Sequence, residues 1–309
     1  MTWLVTGGSG FLGGAVLQAL RERGESGSDR VVALGRHHPG GWPLEDFVRA
    51  DLDDREGLQR AIARIAPSIV IHAAGKTPPA PSSELYTSNT RATAFLLHAL
   101  HSQGRPCRVV LAGSAAELGP VPSESLPVDE IHPCRPRDAY GLSKWAATKL
   151  GMSAKPPLEV ISARIFNPIG PGLPTTQAFG RFAALLAAPG HDPVTMSVGG
   201  LDARRDFIDV RDVAEGMVAL AQTGRASTVY NIGTGISHTI GEGLEVIIRL
   251  SGRDVDVEVK GMATGPSDSR ANIGRILTET TWAPQISWEQ SLRDLWDHAK
   301  RSSSIRHVA

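Results

Sequence analysis

The run Thr6-Gly7-Gly8-Ser9-Gly10-Phe11-Leu12-Gly13 constrains this chain more than any other feature. It follows a short apolar stretch at residues 3–5 and opens an amphipathic one at residues 12–23. A strand, a glycine turn and a helix in that order build a phosphate cradle. The first turn of a helix leaves N–H groups without helical partners and presents the positive end of the helix dipole. Gly7 and Gly10 let the backbone turn tightly and approach a pyrophosphate, and Gly13 lets helix and strand pack closely. Gly7, Gly10, Phe11, Leu12 and Gly13 are therefore the first candidate cofactor residues.

The rest of the first half repeats the alternation. Apolar runs at 31–34, 68–72 and 108–111 alternate with amphipathic stretches at 55–65 and 86–100. Units of this length imply an α/β fold with a Rossmann-type, doubly wound parallel sheet. The segments 77–81 and 120–136 are too proline-rich for helix or central strand and read as loops. Residues 168–174 and 261–266 read as loops as well. The second half is less regular, with helices expected at 244–250 and 290–300.

The end of the second strand bears on the cofactor. NAD-preferring folds place a carboxylate there to hold the ribose hydroxyls. This chain has Gly35 at that position, followed by Arg36. Losing the carboxylate removes repulsion, and a guanidinium grips a phosphate with fork geometry. NADP(H) is expected over NAD(H). Asp51-Leu52 follows the next apolar stretch. Asp51 either accepts from an adenine amino group or caps the helix near Arg55.

Tyr140 and Lys144 are i and i+4 in Ala139-Tyr-Gly-Leu-Ser-Lys144, so they share one helix face. A phenol is a poor base at neutral pH, and a nearby ammonium is expected to lower its pKa. Such a pair exchanges a proton with a carbonyl or hydroxyl, and Lys144 can also hold a ribose hydroxyl.

With both motifs in place, the chain resembles the extended short-chain dehydrogenase/reductases, the NAD-dependent epimerase/dehydratase family. Further landmarks follow in family order. His72-Ala73-Ala74 resembles the HxAA turn, and Asn89 resembles the asparagine that shapes the active site. Ser114 resembles the catalytic Ser/Thr. Arg164-Ile-Phe-Asn167-Pro-Ile-Gly-Pro-Gly172 and Arg205-Asp206-Phe207-Ile208-Asp209-Val210 resemble two later motifs. The resemblance implies Ser114, Tyr140 and Lys144 as catalytic residues. It adds Ala73 and Ala74 to the cofactor site. It implies Ser114, Asn167 and Arg205 as substrate contacts. It divides the chain into a dinucleotide-binding domain at 1–165, with part of 206–235 returning to it. Residues 166–309 form a smaller C-terminal α/β region, mainly for substrate.

Within the family the later motifs look most like NDP-4-keto-6-deoxyhexose reductases. The implied reaction is NADPH-dependent reduction of a keto group on a nucleotide sugar. An NDP-sugar 4-epimerase, a reductase of a non-sugar carbonyl and a non-catalytic dinucleotide sensor are the alternatives. Sugar-nucleotide dehydratases carry Asp-Glu directly after the catalytic Ser/Thr. Ala115 and Ala116 stand there, which argues against dehydration. Glu117 reads as a surface carboxylate. Leu118 replaces the usual Tyr at a position expected near substrate. Gly265 replaces an Arg expected near the diphosphate, leaving Arg270 or Arg205 to substitute. Asp206 and Asp209 read as turn formers or helix caps, Arg204 as a surface residue, and Phe207 and Val210 as core.

Composition narrows the partners. Equal numbers of basic and acidic residues give a formal net charge of zero, so nothing points to nucleic acid or a membrane surface. No apolar run is long enough to span a bilayer, and the N-terminus has no secretory pattern. The two cysteines, Cys107 and Cys134, have no ligand spacing, so no metal is expected and both read as thiols of a reducing cytoplasm. His98 and His101 read as helix-surface residues, and Trp282, Trp288 and Trp296 as packing anchors. The helices at 86–100 and 140–150, with Trp145, are a candidate homodimer face.

Overall fold

In a computed structural model the chain is described over residues 1–24, 29–190, 192–261 and 268–306. The first half runs β1 (Thr2–Thr6), α1 (Phe11–Gly24), β2 (Arg30–Gly35), β3 (Phe47–Arg49), α2 (Arg55–Ile65), β4 (Ile69–His72), α3 (Ser82–Leu85), α4 (Ala92–His101), β5 (Cys107–Ser114), α5 (Ala139–Met152) and β6 (Leu158–Ile165). The second half runs β7 (Asn167–Ile169), α6 (Ala178–Ala187), β8 (Val194–Val198), β9 (Arg204–Asp209), α7 (Val210–Thr223), β10 (Thr228–Ile232), β11 (Ser237–Thr239), α8 (Ile240–Ser251), β12 (Val255–Val259), α9 (Gly274–Glu279) and α10 (Trp288–Arg306).

Seven strands form one parallel sheet in the order β10-β6-β5-β4-β1-β2-β3. Chain order reverses between β1 and β4. In open α/β sheets that reversal opens a crevice at the carboxyl ends of the strands, where ligands bind. The glycine turn after β1 and the Ala73-Ala74 turn after β4 flank it.

Apolar strands explain why the sheet is covered on both faces. All four residues of β4 are buried. On one face α1 packs against α7, around Val16, Leu20, Val213 and Met217. On the other α2 packs against α4, around Leu58, Ile62, Leu96 and Leu100. Each such side chain, fully buried, contributes about 1.5–3 kcal/mol relative to exposure. A third core lies in the second half, where Phe179, Phe182, Ile247, Leu292 and Trp296 join α6, α8 and α10. Trp282 and Trp296 are buried, and Trp288 stacks between Phe207 and His238. The three tryptophans are packing anchors, as read from the sequence.

Several local readings change. The 86–100 stretch is not one regular helix: a π-helical segment at Tyr86–Arg91 separates α3 from α4. Pro168, read as loop, lies in the short strand β7, which pairs with β9. The second half also holds a three-stranded sheet, β11-β9-β7, and a β12-β8 pair. Asp209 caps α7 by accepting from the Arg211 N–H at 2.9 Å. Asp206 does something other than form a turn. Buried in β9, it accepts from the Thr234, Gly235 and Ala271 N–H groups at 2.8, 2.9 and 3.0 Å. Phe207 and Val210 are core residues. Cys107 and Cys134 are free thiols. Among the described residues no helix is long and apolar enough to cross a membrane, and no cluster of potential metal ligands is found.

Candidate active site

A cavity of 1470 Å³ runs from the glycine turn, past the carboxyl ends of β4 and β5, to α6 and β9. It gathers the candidate catalytic residues and the glycine-turn, strand-end and later-motif candidates for cofactor and substrate. Gly7, Gly10, Phe11, Leu12, Gly13, Arg36, Asp51, Leu52, Ala73 and Ala74 line one end. Ser114, Tyr140 and Lys144 line the middle, and Asn167 and Arg205 the other end.

The cradle requires its glycines. Gly7 has φ +75°, and a Cβ on it would stand 2.7 Å from the backbone of Ala74. A Cβ on Gly13 would stand 2.1 Å from the Gly7 carbonyl oxygen. The Gly10 N–H donates to that same oxygen at 2.9 Å, which closes the turn. The start of α1 thus faces the cavity over bare backbone, and this donor set fits a pyrophosphate. Arg36 is exposed on the cavity wall beside Gly35, and no carboxylate occupies that strand end. Asp54, not Asp51, caps α2, accepting from the Gly57 N–H at 3.0 Å. Asp51 accepts from the Asp53 N–H at 3.0 Å and keeps its place on the wall.

The central group has a definite geometry. Ser114 ends β5 and caps a short 3-10 turn, its Oγ accepting from the Ala116 N–H at 3.2 Å. Asp138 caps α5 through the Gly141 N–H at 2.8 Å, which sets where Tyr140 and Lys144 project. Lys144 Nζ donates to the Ala112 carbonyl at 2.7 Å. Burial pushes this ammonium down to about 8, against an upward pull from Glu117. Tyr140 departs from expectation. Burial holds its phenol above the usual value, with the Ser114 hydroxyl opposing. The ammonium expected to lower it is bound to the Ala112 carbonyl instead. The phenol therefore stays protonated at neutral pH.

A buried network supports this wall. Asn89, in the π-helical segment, donates to Ser143 Oγ at 2.9 Å and to the Lys76 carbonyl at 3.0 Å, and its Oδ1 accepts from the Lys76 N–H at 2.8 Å. The extra residue of a π turn is what re-aims a helix side chain this way. His72 is buried between Thr6 Oγ1 at 2.7 Å and Thr93 Oγ1 at 3.0 Å. Thr93 spends its proton on the Asn89 carbonyl at 2.6 Å, so it accepts from His72 Nε2. His72 Nδ1 then accepts from Thr6. The imidazole is neutral, and burial lowers its pKa to about 3.

Three sequence readings are corrected here. Glu117 is fully buried behind Ser114 rather than at the surface, because Thr148 and Arg164 receive it. Leu118 is buried with Val128, Phe166 and Ala271 and does not line the cavity. Arg270 pairs with Asp268 at 3.0 Å and lies off the cavity wall, while Arg205 is on it. Gly265 lies outside the described residues. Ala115 and Ala116 do line the cavity, so no carboxylate flanks Ser114 there. At the far end Asn167 Nδ2 donates to the Asp206 carbonyl at 3.0 Å. Arg205 is partly buried, which lowers its pKa against the pull of Asp268. Arg181, on α6, also lines the cavity, with its guanidinium 5.7 Å from the Phe182 ring centroid. Sequence reasoning missed it, since its segment showed no motif.

Residues 3–233 match the model of the NAD dependent epimerase/dehydratase family. The chain belongs to this family. It is an NAD(P)-dependent enzyme of the extended short-chain dehydrogenase/reductase type. A GDP-6-deoxy-D-mannose reductase of Pseudomonas aeruginosa is 31% identical over 239 residues, covering 74% of this chain and 78% of that one. A dTDP-6-deoxy-L-talose 4-dehydrogenase (NAD(P)(+)) of Kitasatospora kifunensis is 28% identical over 302 residues, covering 94% and 93%. Among solved structures, RMD from Pseudomonas aeruginosa complexed with NADPH is similar at TM-score 0.84 and 28% identity, covering 97% and 99%.

Proposed function

We propose that the protein reduces the 4-keto group of a nucleotide-activated 6-deoxyhexose with NADPH. The carrying observation is the pairing of Gly35 with Arg36 at the end of β2, where NAD-preferring folds need a carboxylate. Arg36 suits a 2′-phosphate, and a cofactor kept reduced in cells suits net reduction. The relatives named as a reductase and a dehydrogenase of 6-deoxyhexoses support the substrate class.

In this reading residues 1–165 bind the dinucleotide with part of 206–235, and 166–309 mainly bind substrate. A reduced nicotinamide in the cavity supplies the hydride to the keto carbon. Ser114 Oγ donates a hydrogen bond to the keto oxygen and polarises it. Tyr140, kept protonated by burial, gives that oxygen its proton, and the phenolate is reprotonated from solvent. Lys144 holds the ribose hydroxyls and keeps positive charge on the face of α5 where the phenolate develops. Asn167 and Arg205 hold the nucleotide end, with Arg181 adding a cation for the diphosphate. Ala115 and Ala116 leave no acid to expel water. The protein is assigned to the cytoplasm as a homodimer through α4 and α5, whose neighbourhood exposes Tyr86, Leu142 and Leu150.

The test is purified protein mixed with NADPH and a panel of dTDP- and GDP-4-keto-6-deoxyhexoses, followed by nicotinamide absorbance. Consumption with one member, and slower consumption with NADH, is the expected result. Binding of NADPH without consumption across the panel contradicts the reading and favours epimerisation or a non-sugar carbonyl.

A further inference from the structure

Glu117 is fully buried, yet the reaction set out above does not use it. Its Oε1 accepts from the Ser114 N–H at 2.8 Å and from Thr148 Oγ1 at 3.0 Å. Thr148 lies one turn beyond Lys144 on α5, and its hydroxyl also meets Ser162 Oγ of β6 at 3.0 Å. The other oxygen, Oε2, faces Arg164 Nε of β6 at 3.5 Å. Among the described residues no hydrogen bond is completed at Oε2, or at Nε and Nη1 of Arg164. Arg164 Nη2 instead reaches Cys134 Sγ at 3.2 Å.

A dry carboxylate on one long ion pair is an expensive way to fill space, and an apolar side chain of similar size costs less. That cost asks for a reason beyond packing. The carboxylate joins the elements that carry the reacting groups: β5 with Ser114, α5 with Tyr140 and Lys144, and β6 behind them. Even Gly113 fits this role, since a Cβ there would stand 2.7 Å from Glu117 Oε1.

We propose that Glu117 is a positioning residue of this active site. One carboxylate oxygen fixes the backbone of Ser114 and, through Thr148, the helix that bears Tyr140 and Lys144. Burial raises the pKa of this carboxyl, while Arg164 and the donors from Ser114 and Thr148 oppose that shift. The inference rests on Tyr140 as proton donor.

The groups facing this centre are known from each element. β6 contributes Arg164. α5 contributes Tyr140, Lys144 and, toward Cys134, Lys149, with Asp138 at its cap. β4 contributes His72, which faces Lys144, and the loop before α5 contributes Cys134. Glu117 raises both Lys144 and Tyr140, so its loss lets both titrate at lower pH.

Phenolate absorbance provides a readout that needs no substrate. The chain has three tyrosines, and subtracting the titration of Tyr140→Phe isolates Tyr140. In Glu117→Gln the Tyr140 titration should move to lower pH. Turnover should fall about tenfold, with KM changed far less. Thr148→Val keeps the carboxyl group but cuts its tie to α5. It should lower turnover and leave the titration in place. A folded Glu117→Gln with wild-type titration and turnover overturns the inference, and so does one whose only change is a lower melting temperature. If Glu117→Gln does not fold, undiminished turnover in Thr148→Val overturns it. Retained turnover in Tyr140→Phe would defeat the reaction proposed above and with it the premise of this inference, whereas lost turnover in Tyr140→Phe beside undiminished turnover in Glu117→Gln would defeat the inference alone.

Discussion

Lys144 Nζ donates to the carbonyl oxygen of Ala112 at 2.7 Å, so the i+4 partner of Tyr140 is tied to the strand that ends in Ser114. The bond crosses from α5 to β5 and closes the wall of the cavity. Burial around the ammonium lowers its pKa to about 8.

A pH profile follows from that value. Lys144 is charged below about 8 and loses its proton above it. If the ammonium is needed, kcat/KM holds up to that region and declines as pH rises through it. Lys144→Arg should move the decline to higher pH, since a guanidinium keeps its proton. A wild-type rate that is flat well above the Lys144 value, in a stable protein, would contradict the assignment.

Gly13→Ala tests the cradle. The added Cβ would stand 2.1 Å from the Gly7 oxygen and 2.5 Å from its carbonyl carbon. Something must move, and the turn is backbone on both sides. The expected cost is about 1–3 kcal/mol of stability. NADPH affinity should fall tenfold or more, read by fluorescence titration. Unchanged affinity would mean that the turn does not hold the dinucleotide.

Arg36→Ala tests cofactor choice. Arg36 is exposed, so its removal should leave the melting temperature in place. Charge-assisted contacts to a phosphate exceed neutral ones. NADPH should bind about tenfold more weakly, with NADH little affected. Equal losses for the two cofactors would remove the case for NADP(H).

His72 predicts an acid-side loss of stability. Its folded pKa of about 3 lies below the value of about 6.5 for an unfolded histidine. The unfolded chain therefore binds the extra proton first. The contribution is complete above about pH 6.5 and is lost as pH falls. From pH 7 to 5 the loss is about 2 kcal/mol, by integrating that linkage. His72→Asn should flatten the slope of denaturation midpoint over this range. An unchanged slope would show that other groups set it.

The local parts of this site were legible in the sequence because they are contiguous. The glycine turn spans residues 7 to 13, and Tyr140 and Lys144 share a helix face, so spacing alone brings each set together. The parts that depend on distant chain were not legible. Glu117 is polar and looks like a surface residue until β6 and α5 close over it. The π-helical segment around Asn89 has no period that distinguishes it from an α-helix. Arg181 reaches the cavity only because α6 packs against α8 and α10. In the second half, β8 and β12 carry exposed alternate residues, and short half-exposed strands give weak patterns.

Stereospecifically labelled NADPH distinguishes net reduction from a recycled hydride. Protein is incubated with deuterium-labelled NADPH and the 4-keto-6-deoxyhexose that the substrate panel identifies, and the sugar product is examined by mass spectrometry and NMR. Net reduction places one deuterium at carbon 4 for each NADPH oxidised. A converted sugar without deuterium, with NADPH undiminished, would contradict it and mark an enzyme that recycles its own hydride.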